Sequence, residues 1–122
     1  MAKKILVIED EESLLKVLIE KFTIEKFEVF SARDGIDGLT TALKERPDLI
    51  LLDIIMPKMD GLTMLKELRK DESGKKIKVI MLTNLSGEEN IADAIRSGSF
   101  DYLIKSDWKI EDLVKRVKEV LS

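Results

Sequence analysis

Four apolar runs in this 122-residue chain end on groups that can do chemistry. Ile5–Ile8 leads into Glu9 and Asp10, Leu49–Leu52 into Asp53, Val79–Leu82 into Thr83, and Tyr102–Ile104 into Lys105. Three carboxylates, a hydroxyl and an amine brought to one place have a limited repertoire. Carboxylates in close proximity repel, and their pKa values rise unless a cation neutralises them. A hard divalent ion suits such oxygen donors, and Mg²⁺ accepts one or two carboxylates, a backbone carbonyl and several waters. With a metal and an ammonium alongside, one carboxylate stays ionised and can attack an electrophile. Phosphoryl transfer matches the set, because that chemistry needs mainly alignment and positive charge around the moving oxygens. Asp53, set between Leu49–Leu52 and Ile54–Met56, is then the acceptor nucleophile; the competing reading is a turn former ahead of Pro57 and Gly61.

Composition narrows the alternatives. The chain has no cysteine and no histidine, which removes disulfides, thiolate metal sites, thiol nucleophiles, the usual zinc centres and any histidine base. With 24 acidic against 21 basic residues the net charge is −3 and no basic block stands alone, so direct nucleic-acid binding is not expected. The opening MAKKILVIED has an apolar stretch too short for a signal peptide or a membrane span, and a soluble, cytoplasmic protein is expected.

The elements that must position these groups follow from hydrophobic spacing. Runs without polar alternation, at 5–8, 49–52, 79–82 and 102–104, with a weaker EVFSA at 28–32, suit strands covered on both faces. Between them lie segments of helical period: EESLLKVLIEKFTIEKF, GLTTALKER ahead of Pro47, GLTMLKELRKD ahead of Ser73-Gly74, EENIADAIRSG ending at Gly98, and KIEDLVKRVKEVLS. Five strands alternating with five helices predict an α/β three-layer sandwich with right-handed crossovers and a parallel sheet. Functional groups in such sheets gather beyond the carboxyl ends of the strands, where the groups above lie. The pattern uses the whole chain, residues 1–122, and leaves no room for a second domain.

ILVIEDEES, PDLILLDIIMPKMDG, VIMLTNLS and DYLIK, in this order and spacing, resemble the motif set of the response-regulator receiver domain of two-component signalling, the family of the chemotaxis receiver. The resemblance spans essentially the whole chain. It implies a flavodoxin-like (βα)5 fold with strand order 2-1-3-4-5 and no effector domain in the chain. It also implies a phosphorylation-activated switch that takes its phosphoryl group from a histidine kinase or phosphotransfer protein and controls a downstream protein. Carried over by position, Asp53 is the phosphoacceptor. Glu9, Asp10, Asp53 and the backbone carbonyl of Ile55 hold Mg²⁺. Lys105 and Thr83 contact the phosphoryl group, and Tyr102 is the aromatic whose rotamer follows Thr83. The face of helix four, strand five and helix five is the implied output surface, and phosphorylation-dependent homodimerisation is compatible with it.

Two positions depart from the family pattern. Glu9 stands where aspartate is more usual, and its extra methylene implies contact with the ion through water. Ser106 follows Lys105 where the family usually has a proline after a cis peptide; a cis bond without proline costs about 3 kcal/mol, so a trans bond is expected.

Plainer roles compete at each position: a helix N-cap for Asp10, a solvated acid for Glu9, a strand residue or cap for Thr83, surface charge for Lys105 and packing for Tyr102. Met56, Met59 and Met64 read as loop and core filling, and Trp108 as packing near the start of the last helix. The chain is not a kinase, having neither a G-x-x-x-x-G-K loop nor histidine. Three other functions compete with the switch. A phosphorylation-independent pseudo-receiver would normally lack the acceptor, the acids or the lysine. A small Mg²⁺-dependent aspartyl phosphatase would normally carry a second aspartate two residues after the nucleophile, where this chain has Ile55. A flavin binder would need a phosphate-cradling loop in place of EDEES.

Overall fold

Strands that are apolar on both faces need a helical layer on each side, and the helices of this chain divide themselves between the two. The computed structural model describes residues 2–122. The order is β1 (Lys4–Ile8), α1 (Glu12–Ile24), β2 (Glu28–Ala32), α2 (Gly35–Glu45), β3 (Leu49–Leu52), α3 (Gly61–Lys70), β4 (Lys78–Thr83), α4 (Glu88–Arg96), β5 (Asp101–Ile104) and α5 (Ile110–Leu121). Short 3-10 turns at Gly74–Lys76 and Lys105–Asp107 complete it. All strands pair in parallel, in the order β2-β1-β3-β4-β5 that the family resemblance implies.

Alternation along the strands splits the core in two. Ile5, Val7, Leu49, Leu51, Ile80, Leu82 and Leu103 face α1 and α5, where Leu18, Phe22, Leu113 and Val117 meet them. Leu6, Ile8, Ile50, Leu52, Val79 and Met81 face α2, α3 and α4, against Ala42, Met64, Leu65, Leu68 and Ala94. Each fully buried Leu or Ile contributes about 1.5–3 kcal/mol to folding, so both faces are needed to offset the ordering of the chain.

Helix ends show where local chemistry decides. The helical period of the first helix extends to Phe27, yet α1 stops at Ile24. Lys26 turns left-handed (φ 75°), its N–H donates to Thr23 O, and the Phe27 N–H donates to Phe22 O. This closure turns Phe27 back edge-on to Phe22, with ring centroids 5.7 Å apart. The second helix begins one turn earlier than its apolar spacing predicts, at Gly35, because Asp34 accepts from the Asp37 N–H at 2.8 Å. Asp60 caps α3 in the same way, accepting from the Thr63 N–H at 2.9 Å. Trp108 is partly buried against the α1/α5 layer, as its expected packing role requires.

Candidate functional site

Period-two alternation places the chemistry. Glu9 follows Val7 by two positions, Asp53 follows Leu51 and Lys105 follows Leu103, so all three continue rows that face α1 and α5. Thr83 follows Met81 on the other face, the same side as Tyr102. Parallel register then levels the rows: Ile8 pairs with Leu52, Leu52 with Met81, and the Asp53 N–H donates to Ile8 O at 3.1 Å.

The result is an ionic triad at the carboxyl edge of the sheet. Lys105 Nζ lies 2.8 Å from Asp53 Oδ2 and 2.6 Å from Glu9 Oε1. Asp53 Oδ1 accepts from the N–H of Ile54 at 2.7 Å and of Ile55 at 3.4 Å. Glu9 Oε2 accepts from the Glu11 N–H at 2.9 Å. The side chains of Glu9 and Asp53 are only 4% and 9% exposed, so this pairing is made largely out of water.

Electrostatics follow from that burial. Desolvation pushes the Glu9 carboxyl above its usual range, and the bonds from Lys105 and the Glu11 N–H only partly oppose it. Burial works against the Lys105 ammonium, but its hydrogen bonds to Asp53 and Glu9 and their charges prevail and raise its pKa. Tyr102 is raised by burial and by the negative charge of Asp53. Its hydroxyl donates to Leu85 O at 2.7 Å in the loop before α4, while buried Thr83 accepts weakly from the Leu85 N–H at 3.4 Å. One loop residue thus touches both side chains expected to act as the switch.

Glu9, Asp10, Asp53, Ile55, Thr83 and Lys105, joined by Glu11 and Asn84, line one open cleft of about 420 Å³. Sequence reasoning had no signal for Asn84, or for the backbone N–H groups that grip Asp53 and Glu9. The three carboxylates do not form a ready-made ligand cluster; among the described residues no group of three acidic side chains is poised to hold a metal ion. Lys105 occupies the space between Glu9 and Asp53, both Glu9 oxygens are engaged, and Asp10 is exposed, with no cap on α1 from its side chain. The donor chemistry still suits a hard divalent ion, since Glu9, Asp10, Glu11 and Asp53 bring carboxylate oxygens to the cleft and Thr83 a hydroxyl. All peptide bonds of the described residues are trans, the Lys105–Ser106 bond included.

Gly61 is what lets Asp53 sit at the edge of the cleft. A Cβ there would lie 2.0 Å from the Asp53 carbonyl oxygen and 2.9 Å from Ile54 Cα, both backbone atoms that cannot swing aside. Gly61→Ala is expected to lower the urea midpoint by an amount worth about 2–3 kcal/mol. The same displacement should disturb the grip of the Ile54 and Ile55 N–H groups on the carboxylate, read as shifted amide resonances at those residues.

Comparisons with known proteins agree with this fold. The sequence profile of the response regulator receiver domain matches residues 5–118. Response regulator PleD of Caulobacter vibrioides is 39% identical over 105 residues, which cover 86% of this chain and 23% of PleD. The chain spans 23% to 48% of the length of such curated relatives. A CheY-like receiver domain protein of Methanospirillum hungatei superposes with a TM-score of 0.91 at 30% identity, covering 99% of this chain and 94% of that one. The receiver domain of a Pseudomonas aeruginosa sensor histidine kinase, with magnesium coordinated in its active-site cleft, superposes at 0.87 with 27% identity, covering 98% and 97%. With its fold, its strand order and most of its length shared in this way, the chain belongs to the response regulator receiver domain family.

Proposed function

We propose that this domain is a phosphorylation-activated signalling switch whose acceptor is Asp53. The observation that carries the reading is the setting of that carboxylate. It is 7% exposed at the floor of an open cleft, one oxygen held by backbone N–H groups and the other by an ammonium. Such a carboxylate is held in place and aimed, and the cleft leaves room for a donor.

An Asp53 oxygen attacks phosphorus as the donor's P–N or P–O bond breaks, and the electron pair leaves with the donor. The donor is the phosphohistidine of a sensor kinase or phosphotransfer protein, or a small acyl phosphate. Glu9, Asp10, Asp53 and the Ile55 carbonyl are the groups that would hold Mg²⁺, Glu9 through water. Bound there, the ion supplies positive charge that stabilises the oxygens around phosphorus. Lys105 supplies positive charge from the protein itself and must leave Glu9 or share its hydrogens to reach a phosphoryl oxygen. The domain assists its own phosphorylation and slow hydrolysis without being a turnover enzyme.

The phosphoryl group adds about −1.5 to −2 charges and three acceptor oxygens. Thr83 can donate its hydroxyl to one of them, which would end its contact with the Leu85 N–H. Tyr102, bonded to the same loop residue, then follows, and the surface of α4, β5 and α5 changes for a downstream protein or a second copy of the chain. Cytoplasmic partners and no direct nucleic-acid contact complete the reading; no helix among the described residues is long and apolar enough to cross a membrane.

Intact mass after incubation with acetyl phosphate tests it. The expected result is a gain of one phosphoryl group with Mg²⁺ present and none with a chelator, the label mapping to the peptide that contains Asp53. No gain under conditions that label another receiver would identify a phosphorylation-independent module.

A further inference from the structure

Helix α4 is attached unevenly. Ala94 is its one buried side chain. At its C-terminal end the guanidinium of Arg69, from the last turn of α3, donates to three carbonyls: Gly74 at 2.5 Å, Ile77 at 2.8 Å and Gly98 at 2.6 Å. These come from the turn after α3, the residue entering β4 and the second residue past α4. Lys66 of α3 reinforces the same half of the helix through Asp93, at 3.5 Å. Backbone geometry has been fitted to the guanidinium as well. Gly98 adopts φ 102°, and a Cβ there would lie 2.7 Å from Arg69 Nε. Arg69 is half-buried and none of its acceptors is a carboxylate, so its desolvation is offset only while all three carbonyls stay in place.

The other end has no comparable anchor. Gly87 provides no side-chain cap, and Ser86 to Glu89 are exposed. The preceding loop is held at Leu85 by the Tyr102 hydroxyl at 2.7 Å and, weakly, by Thr83 at 3.4 Å. Both are residues that the proposed switch moves.

We propose that Arg69 is a positioning residue that fixes the C-terminal end of α4, so that phosphorylation swings the helix about Gly98 and displaces its N-terminal end most. The inference rests on the phosphorylation reading of the preceding subsection. It divides the α4 surface into a part that changes, from Leu85 to Ile91, and a part that stays, which includes exposed Ile95 and Phe100. A helix with a fixed end turns a local change at Thr83 and Tyr102 into a rotation; a helix free at both ends would dissipate it as a slide.

Hydrogen exchange of individual amides by NMR tests this. The Ile91 N–H donates to Gly87 O and reports the N-terminal end; those of Gly98, Ser99 and Phe100 donate to Ile95, Ala94 and Val79 and report the anchored end. On phosphorylation of the wild type, exchange at Ile91 is expected to change roughly fivefold or more, with Gly98 to Phe100 staying within about twofold. In unphosphorylated Arg69→Gln, exchange at Gly98 to Phe100 should rise about tenfold while β1 amides hold, which separates a local release from general loss of stability. Gly98→Ala, which keeps the arginine but pushes its guanidinium aside, should reproduce that result, and Arg69→Lys should fall between. Equal change at both ends of α4 on phosphorylation overturns the pivot. Unchanged exchange at Gly98 to Phe100 in Arg69→Gln overturns the clamp. If the wild type takes up no phosphoryl group, the phosphorylation reading fails and the pivot with it, and exchange in the unphosphorylated variants still decides the clamp.

Discussion

Asp53→Asn is expected to take phosphoryl incorporation from one group per chain to none while leaving the fold intact. The amide nitrogen has its lone pair delocalised into the carbonyl and cannot act as the nucleophile. The amide oxygen can still accept the Ile54 N–H that Asp53 Oδ1 now accepts at 2.7 Å, so the strand end keeps its local geometry. The NH₂ would face Lys105 in place of Asp53 Oδ2, and the ammonium then turns wholly to Glu9 Oε1, already 2.6 Å away. Because one anion of the triad is removed and the other keeps its partner, the change in stability should stay within about 1 kcal/mol. Intact mass with acetyl phosphate and Mg²⁺ reads the first effect and urea unfolding the second. A variant that still gains one phosphoryl group would move the acceptor elsewhere.

Lys105→Met should differ in its effect on stability, lowering it while it also slows labelling. It removes the one cation between two carboxylates whose side chains are 4% and 9% exposed. Deleting one partner of a buried pair costs roughly 3–5 kcal/mol, and the openness of the cleft reduces this to about 2–4 kcal/mol near neutral pH.

The pH dependence carries a sign that can be checked. Lys105 has a folded pKa raised above 10.5, so its contribution is complete below that value and is lost as pH rises through the folded pKa. Glu9 is raised above 4.5 by burial even with Lys105 present, and without the ammonium it rises further. A raised acid is destabilising when ionised, so the variant recovers toward wild type as falling pH protonates Glu9. The stability gap should therefore be a plateau, closing on the acid side above pH 4.5 and on the alkaline side above pH 10.5. Urea unfolding of both proteins at about pH 4, 7 and 11 measures it. A gap of constant size across that range would mean that methionine acts through packing, not through charge.

Much of this protein is legible in its sequence because the decisive features are local. Four apolar runs without alternation predict buried parallel strands, and their ends name the chemistry, since Glu9, Asp53, Thr83 and Lys105 each stand one residue past a run or close to it. Alternation further assigns each to a face of the sheet. Helix boundaries were legible where a glycine marks them, as near Gly98, and at the start of α5, where the helical period begins at Lys109. The end of α1 depends on a left-handed lysine and on Phe27 folding back onto Phe22, and neither has a composition signal.

The partners of those groups were decided by tertiary structure alone. Glu9 and Asp53 are 44 positions apart and Asp53 and Lys105 are 52, and only the parallel register brings them level. Sequence predicts three carboxylates around a cation; the fold puts the protein's own ammonium between two of them and leaves Asp10 in solvent. The grip on Asp53 comes from backbone N–H groups that every residue carries, the Leu85 carbonyl that joins Tyr102 to the loop before α4 is equally anonymous, and the three carbonyls that hold Arg69 lie 5, 8 and 29 positions along the chain from it. Side-chain identity writes the donors and acceptors that differ between residues. It cannot write which of the many identical backbone groups will face them, because that depends on how strands and helices pack against one another.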